Sequence, residues 1–249
     1  MMHRSLLLAF VSSFAVASVA LASTGRAAPK ATLAQAVSQT NSASTLRYVL
    51  DITVTRAHSP TARLQVRGER GNQALFIHVK QLSAAVPGAT QSAMIDGPFL
   101  YEGAPNGVAV LGHIKWLRVP LARLGAGSKA VSTVHNLSPA PLLRVLDEWS
   151  HGRTRSTTGS FRGAVAYDDP IVLTALSAFI GGAELRDVQF AAKIGDDGYV
   201  HTVVVTGKTA DRSRTLRVTA HLYAFGRPVS LTPPAEGTFM DQKTLGLAE

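Results

Sequence analysis

The sequence contains no cysteine. That excludes a disulfide framework, a thiolate metal site and a cysteine nucleophile. It equally excludes the acylated cysteine that anchors bacterial lipoproteins. Aromatic residues are scarce, at 6% of 249 positions, although 46% of residues are hydrophobic. A core must therefore be built mainly from Leu, Ile, Val and Ala. Beyond residue 22 no stretch reaches about eighteen uninterrupted apolar residues, so none of that remainder reads as membrane-embedded. Basic residues never run together. The net charge is +9, from 25 Lys and Arg against 16 Asp and Glu. Its local concentrations are Arg67-Gly-Glu-Arg70, Arg153-Thr-Arg155 and Arg212-Ser-Arg214. No aromatic platform is interleaved with them, so nucleic acid is not an expected partner. Anionic headgroups of a membrane surface, or acidic cell-envelope polymers, suit such a dispersed positive charge.

Residues 1–22 carry the three parts of a signal peptide. His3 and Arg4 form the positive start, Leu6–Ala22 the apolar run, and Ala20-Leu21-Ala22 the small-x-small cleavage pattern, with Ser18-Val19-Ala20 nearby. Retention as an anchor is the alternative, but the run is short for a bilayer and diluted with Ser and Ala. The expectation is export, to the periplasm, cell envelope or medium, without a lipid anchor. Residues 23–30 read as a flexible mature N-terminus, 31–235 as one domain and 236–249 as a C-terminal tail. A mature chain of roughly 225 residues can bury about 70% of its unfolded surface, enough for a core without disulfides.

Within the domain, Leu33, Ala36, Val37 and Thr40 recur at helical spacing over Thr32–Ala43. From Leu46 the period becomes two, with Tyr48, Leu50, Ile52 and Val54 on one face. Alternation returns at Leu64–Val66, Leu75–Val79, Phe99–Tyr101, Val108–Leu111, Lys115–Val119, Thr154–Tyr167, Val188–Ile194, Val200–Val205 and Leu216–Leu222. Residues 81–92 read as a loop. Ser138-Pro139 opens a helix whose buried side holds Leu142, Leu143, Val145, Leu146 and Trp149, and Asp169-Pro170 opens another to Ile180. The pattern predicts an α+β fold, one antiparallel sheet of roughly ten strands that must close or curl, with about three apolar-faced helices to cover its inner face.

Catalytic chemistry is sparse. There is no His-Glu-x-x-His, and the eight histidines are scattered. Ser160 lacks a nucleophile elbow. Gly125-Ala-Gly-Ser-Lys129 has the wrong glycine spacing for a phosphate loop and reads as a flexible connection. Asp168-Asp169 and Asp196-Asp197 read as a helix start and a turn. No enzyme, cofactor or metal is expected.

The order of parts resembles the LolA/LppX/LprG-like lipoprotein-carrier superfamily, in the form common in actinobacterial exported proteins. The resemblance is carried by Thr32–Thr55, Asp96-Gly-Pro-Phe-Leu-Tyr101, Lys115–Leu121, the Pro139–Trp149 helix, Arg162–Tyr167 and Tyr223–Val229. It implies a half-barrel, a strongly curved antiparallel sheet wrapped around helices, with a hydrophobic cavity. The expected function is non-enzymatic binding or transport of a lipid or other acyl-chain ligand outside the cytoplasm, by a monomer. The candidate lining is Leu50, Ile52, Val54, Leu75, Ile77, Val79, Leu142, Leu146, Leu173, Leu176, Val203 and Val218. The alternative is an envelope sensing or protein-interaction module with a filled core. Cavity volume separates the two.

Overall fold

The computed structural model describes residues 32–57, 59–83, 88–109, 112–124, 128–150, 155–157, 159–164, 176, 180 and 184–241. The expected signal peptide and mature N-terminus lie outside these residues, as does most of the helix expected after Asp169, including Leu173.

Helix α1 (Leu33–Ser42) starts at a reciprocal cap. The Thr32 hydroxyl accepts from the Gln35 N–H at 3.2 Å, and the Gln35 side chain accepts from the Thr32 N–H at 2.9 Å. Its apolar stripe, Leu33, Ala36, Val37 and Thr40, is buried. The far end is closed from a distance: Arg70 Nη2 donates to the carbonyls of Thr40, Asn41 and Ala43 at 3.2, 3.3 and 3.2 Å. A cation there also complements the helix dipole. Helix α1 is tied to the sheet by Thr40, whose hydroxyl accepts from the Val200 N–H at 2.9 Å.

Strands β1 (Leu46–Arg56), β2 (Ser59–Arg70), β3 (Ala74–Gln81), β4 (Thr90–Asp96), β5 (Phe99–Gly103) and β6 (Trp116–Pro120) form one antiparallel meander. Strands β7 (Arg155–Thr157), β8 (Ser160–Ala164), β9 (Leu185–Ile194), β10 (Val200–Thr209) and β11 (Arg214–Tyr223) form a second. The two join where β1 pairs with β11, and β12 (Phe239–Asp241) lies parallel to β6. The twelve strands run β12-β6-β5-β4-β3-β2-β1-β11-β10-β9-β8-β7. The sheet is curved, mostly antiparallel and unclosed, a half-barrel with helices against its inner face.

Helices α2 (Lys129–Asn136) and α3 (Ala140–Ser150) complete the described cover. Ser138 Oγ accepts from the Ala140 N–H at 3.3 Å, the cap expected for α3. Period-two burial along β1, β9, β10 and β11 puts Tyr48, Leu50, Phe190, Val203, Val218 and their neighbours into one apolar cluster with α1 and α3.

Several expectations are corrected. Helix α2 forms where only a flexible connection and unassigned chain were expected. Strand β4 starts at Thr90, inside the expected 81–92 loop, because its pairing with β3 extends to Lys80. In the expected Val108–Leu111 strand, Val108 and Ala109 are not in the sheet, since Pro105–Gly107 takes a 3-10 turn with Asn106 at φ 57°. The Thr154–Tyr167 strand is instead a short hairpin, β7 and β8, broken at Gly159 with φ 76°. The expected tail contributes β12.

The β10–β11 turn contains the clearest titrating group. The Asp211 carboxylate accepts from the Ser213 hydroxyl at 2.6 Å, from the Thr209 hydroxyl and from the Ser213 N–H at 3.0 Å. These donors, the Ser213 hydroxyl foremost, hold its pKa at about 2. A depressed carboxylate pKa stabilises the folded turn above its ordinary value near 3.8, and that contribution is lost as pH falls toward 2. Amide protection in the β10–β11 hairpin, taken relative to intrinsic exchange at each pH, should fall across this window in the wild type. Asp211→Asn should flatten that dependence.

Candidate functional site

The face of the sheet turned toward the helices is not uniformly filled. Along β1, β10 and β11 it is closed core: Leu50, Val203 and Val218 are 0% exposed, as are Leu142 and Leu146 of α3. Leu176 is likewise buried, and Ile52, Val54 and Leu75 are nearly so. Toward the β3–β6 end the cover among the described residues is the eight-residue α2, and open clefts appear there.

The first cleft, about 280 Å³, lies between α2 and the inner face of β3, β4 and β5. Its walls include Ile77, Val79 and Ala93 from the sheet and Ala130, Val134 and Leu137 from the helix side. Register places these strand residues together: Ile77 opposes Ala93, and Val79 opposes Gln91. Ala130, Val134 and Leu137 fall at i, i+4 and i+7, one helical stripe. Of the twelve residues proposed from sequence, Ile77 and Val79 thus border a described cleft. Leu50, Ile52, Val54, Leu75, Leu142, Leu146, Leu176, Val203 and Val218 are placed in the packed cluster.

A second cleft, about 260 Å³, adjoins at β5, β6 and β12, walled by Ile114, Trp116, Leu117 and Met240. Gln91 and Glu102 border both clefts. Glu102 opposes Ala93 on β4 and Leu117 on β6, which fixes it on the inner face. Strand β12 closes this side. Arg118 on β6 donates to Asp241 from Nε at 2.7 Å and from Nη2 at 3.0 Å. The same guanidinium lies 4.8 and 4.3 Å from the ring centres of Phe99 and Phe239, an aromatic sandwich for a cation.

A third, more polar cleft of about 310 Å³ reaches the outer face around His78, Ser92, Asn106, Lys115 and Trp116. His78 Nδ1 lies 2.9 Å from Ser92 Oγ. Among the described residues no acidic side chain is hydrogen-bonded to His78, so the third member of a nucleophilic triad is missing. Nor do the described residues hold three or more His, Asp or Glu side chains grouped to bind a metal. The Asp197 carboxylate belongs to its turn, accepting from the Tyr199 N–H at 3.2 Å and meeting His201 Nε2 at 2.9 Å.

The reading from sequence did not include Gln91, Glu102, Ala130, Val134 or Trp116. The signal for Glu102 was available, since alternation from Leu100 places it on the core-facing side.

No family model and no curated protein matches the chain. Among solved structures it is similar to a DUF1329 family protein from Desulfovibrio piger, at 8% identity and a TM-score of 0.29, covering 80% of this chain and 92% of that one. It is also similar to a putative outer membrane lipoprotein-sorting protein domain from Vibrio parahaemolyticus, at 6% identity and a TM-score of 0.32, covering 80% and 93%. Superpositions this loose carry no functional argument. Among the described residues no helix is long and apolar enough to cross a membrane.

Proposed function

We propose that this chain is an exported, non-enzymatic binding protein that takes up an apolar, acyl-chain-like ligand beneath α2. The carrying observation is the apolar cleft of about 280 Å³ between α2 and β3–β5, continued at its Glu102 border by a second of about 260 Å³. Binding sites for small molecules typically run from about 300 Å³ upward, and two adjoining clefts reach that range. Each methylene moved from water into such walls contributes about 0.8 kcal/mol. The signal-peptide pattern at residues 1–22 supports export, and the resemblance in element order to LolA/LppX/LprG-like carriers supports a carrier role.

Native mass spectrometry of the purified protein with dodecanol, a neutral chain, tests this. The wild type should retain one or more ligands. Ala130→Trp, which fills the α2 cleft, should lose them without a lower melting temperature. A wild type that takes up no dodecanol and co-purifies with no lipid would refute the reading.

A second reading has its own observation. The interior between β1, β10, β11 and α3 is packed closed, with Leu50, Leu146 and Val218 at 0% exposure. That filled centre suits a sensing or interaction module, and it becomes the preferred reading if dodecanol is refused.

A further inference from the structure

Glu102 stands in an unusual place for an acid. Along β3–β6 the inner face is built from Leu75, Ile77 and Val79, then Gln91, Ala93 and Ile95, then Leu100, and finally Leu117 and Val119. Glu102 is the one charged side chain in that set. It is half-buried, it borders both apolar clefts, and it makes no hydrogen bond or ion pair with any described residue. The other charged groups at these clefts are Lys115 and Lys129, both exposed at the rims and neither paired with Glu102.

A carboxylate so placed is satisfied by water while the clefts are empty. A plain hydrocarbon filling them would strip that water and leave the charge without a partner, which is costly. An anionic head would add like-charge repulsion. A head that donates hydrogen bonds and carries positive charge would replace the water with a charge-assisted bond while its chain covers the apolar walls.

We propose that Glu102 is the head-group anchor of the site, and that the preferred ligand is a long-chain amphiphile with an ammonium head. This inference rests on the apolar-ligand reading above and adds the ligand's polar chemistry to it. The exposed lysines sit in water, where their charge is screened, so they do not reverse the preference set inside.

Titration calorimetry with dodecylammonium, dodecanol and dodecanoate, each below its micelle concentration, tests the proposal. Dodecylammonium should bind wild type about tenfold more tightly than dodecanoate, the expected scale for one charge-assisted hydrogen bond. Glu102→Gln should lose that preference and bind dodecanol no more weakly than the wild type, since no charge is then desolvated, with its melting temperature confirming an intact fold. Equal affinities for the three ligands in wild type would overturn the anchor and leave the apolar site standing. So would a dodecylammonium affinity unchanged in Glu102→Gln. Failure of all three to bind would overturn both. If Glu102→Gln does not fold, Glu102→Asp, which keeps the charge on a shorter stem, should retain the ammonium preference; its loss there counts against the proposal.

Discussion

Leu146→Ala is expected to lower the free energy of unfolding by about 3 kcal/mol, read from chemical denaturation. Leu146 is 0% exposed and packs with Leu142, Leu143 and Val145 into the cluster shared with α1 and the central strands. Truncation removes its transfer free energy and leaves a void that close-packed neighbours fill only partly. The contrast with Val79→Ala gives the measurement its functional content. Val79 is half-buried on the wall of the open cleft under α2, so its truncation should cost about 1 kcal/mol or less. Dodecanol affinity should instead fall about fourfold or more, since each lost methylene contact is worth roughly 0.8 kcal/mol. If Leu146→Ala left stability unmoved and abolished ligand uptake, the centre of the half-barrel would be a cavity and the site would have to be redrawn around α3.

Gly68→Val should be the most damaging change at an exchangeable-looking position, costing about 3 kcal/mol or preventing accumulation of folded protein. Gly68 pairs with Tyr48 across β1 and β2. A Cβ on Gly68 would fall 2.1 Å from Tyr48 Cζ and 2.2 Å from its hydroxyl oxygen. The ring lies across the glycine because no side chain stands there. Tyr48 has no room to retreat, being 0% exposed, and its hydroxyl has no hydrogen-bond partner among the described residues. That desolvation pushes the phenol well above its ordinary pKa. The double variant Gly68→Val, Tyr48→Leu should recover a large part of the loss, and a strictly additive result would show that the clash is not the cause.

The elements most legible in the sequence are those whose periodicity is strong and whose burial is complete. Strands β1 and β9–β11 alternate over ten or more residues, and α1 and α3 announce themselves by caps and apolar stripes. The described clefts lie away from this strongest alternation. Leu50, Val203 and Val218 stand out because every inner position around them is apolar, and that is why helices close over them. The open clefts form at the weaker end, where α2 offers a narrow stripe of Ala130, Val134 and Leu137 among Ser, Thr, His and Lys. A glycine-rich lead-in at 125–127 masks the start of that helix. Glu102 shows the same effect in a single residue. Alternation from Leu100 already points it inward, but an acid is ordinarily taken for an outward position, and pairing with Ala93 and Leu117 decides which way it faces. The parallel β12 was invisible because it depends on β6, more than a hundred residues upstream, and three residues carry no period of their own.

The rims of the half-barrel decide how the molecule treats its neighbours. Every described strand of ten or more residues is flanked on both sides, and the sheet ends on two strands of three residues each, β12 and β7. Long unpaired borders are where polypeptides recruit one another into stacked assemblies. Here β6 already holds a guest strand, and that guest is the chain's own C-terminal segment, clamped by Arg118 and Asp241. A concentrated solution of this protein should accordingly resist edge-to-edge stacking, because an incoming strand meets only short templates at either rim.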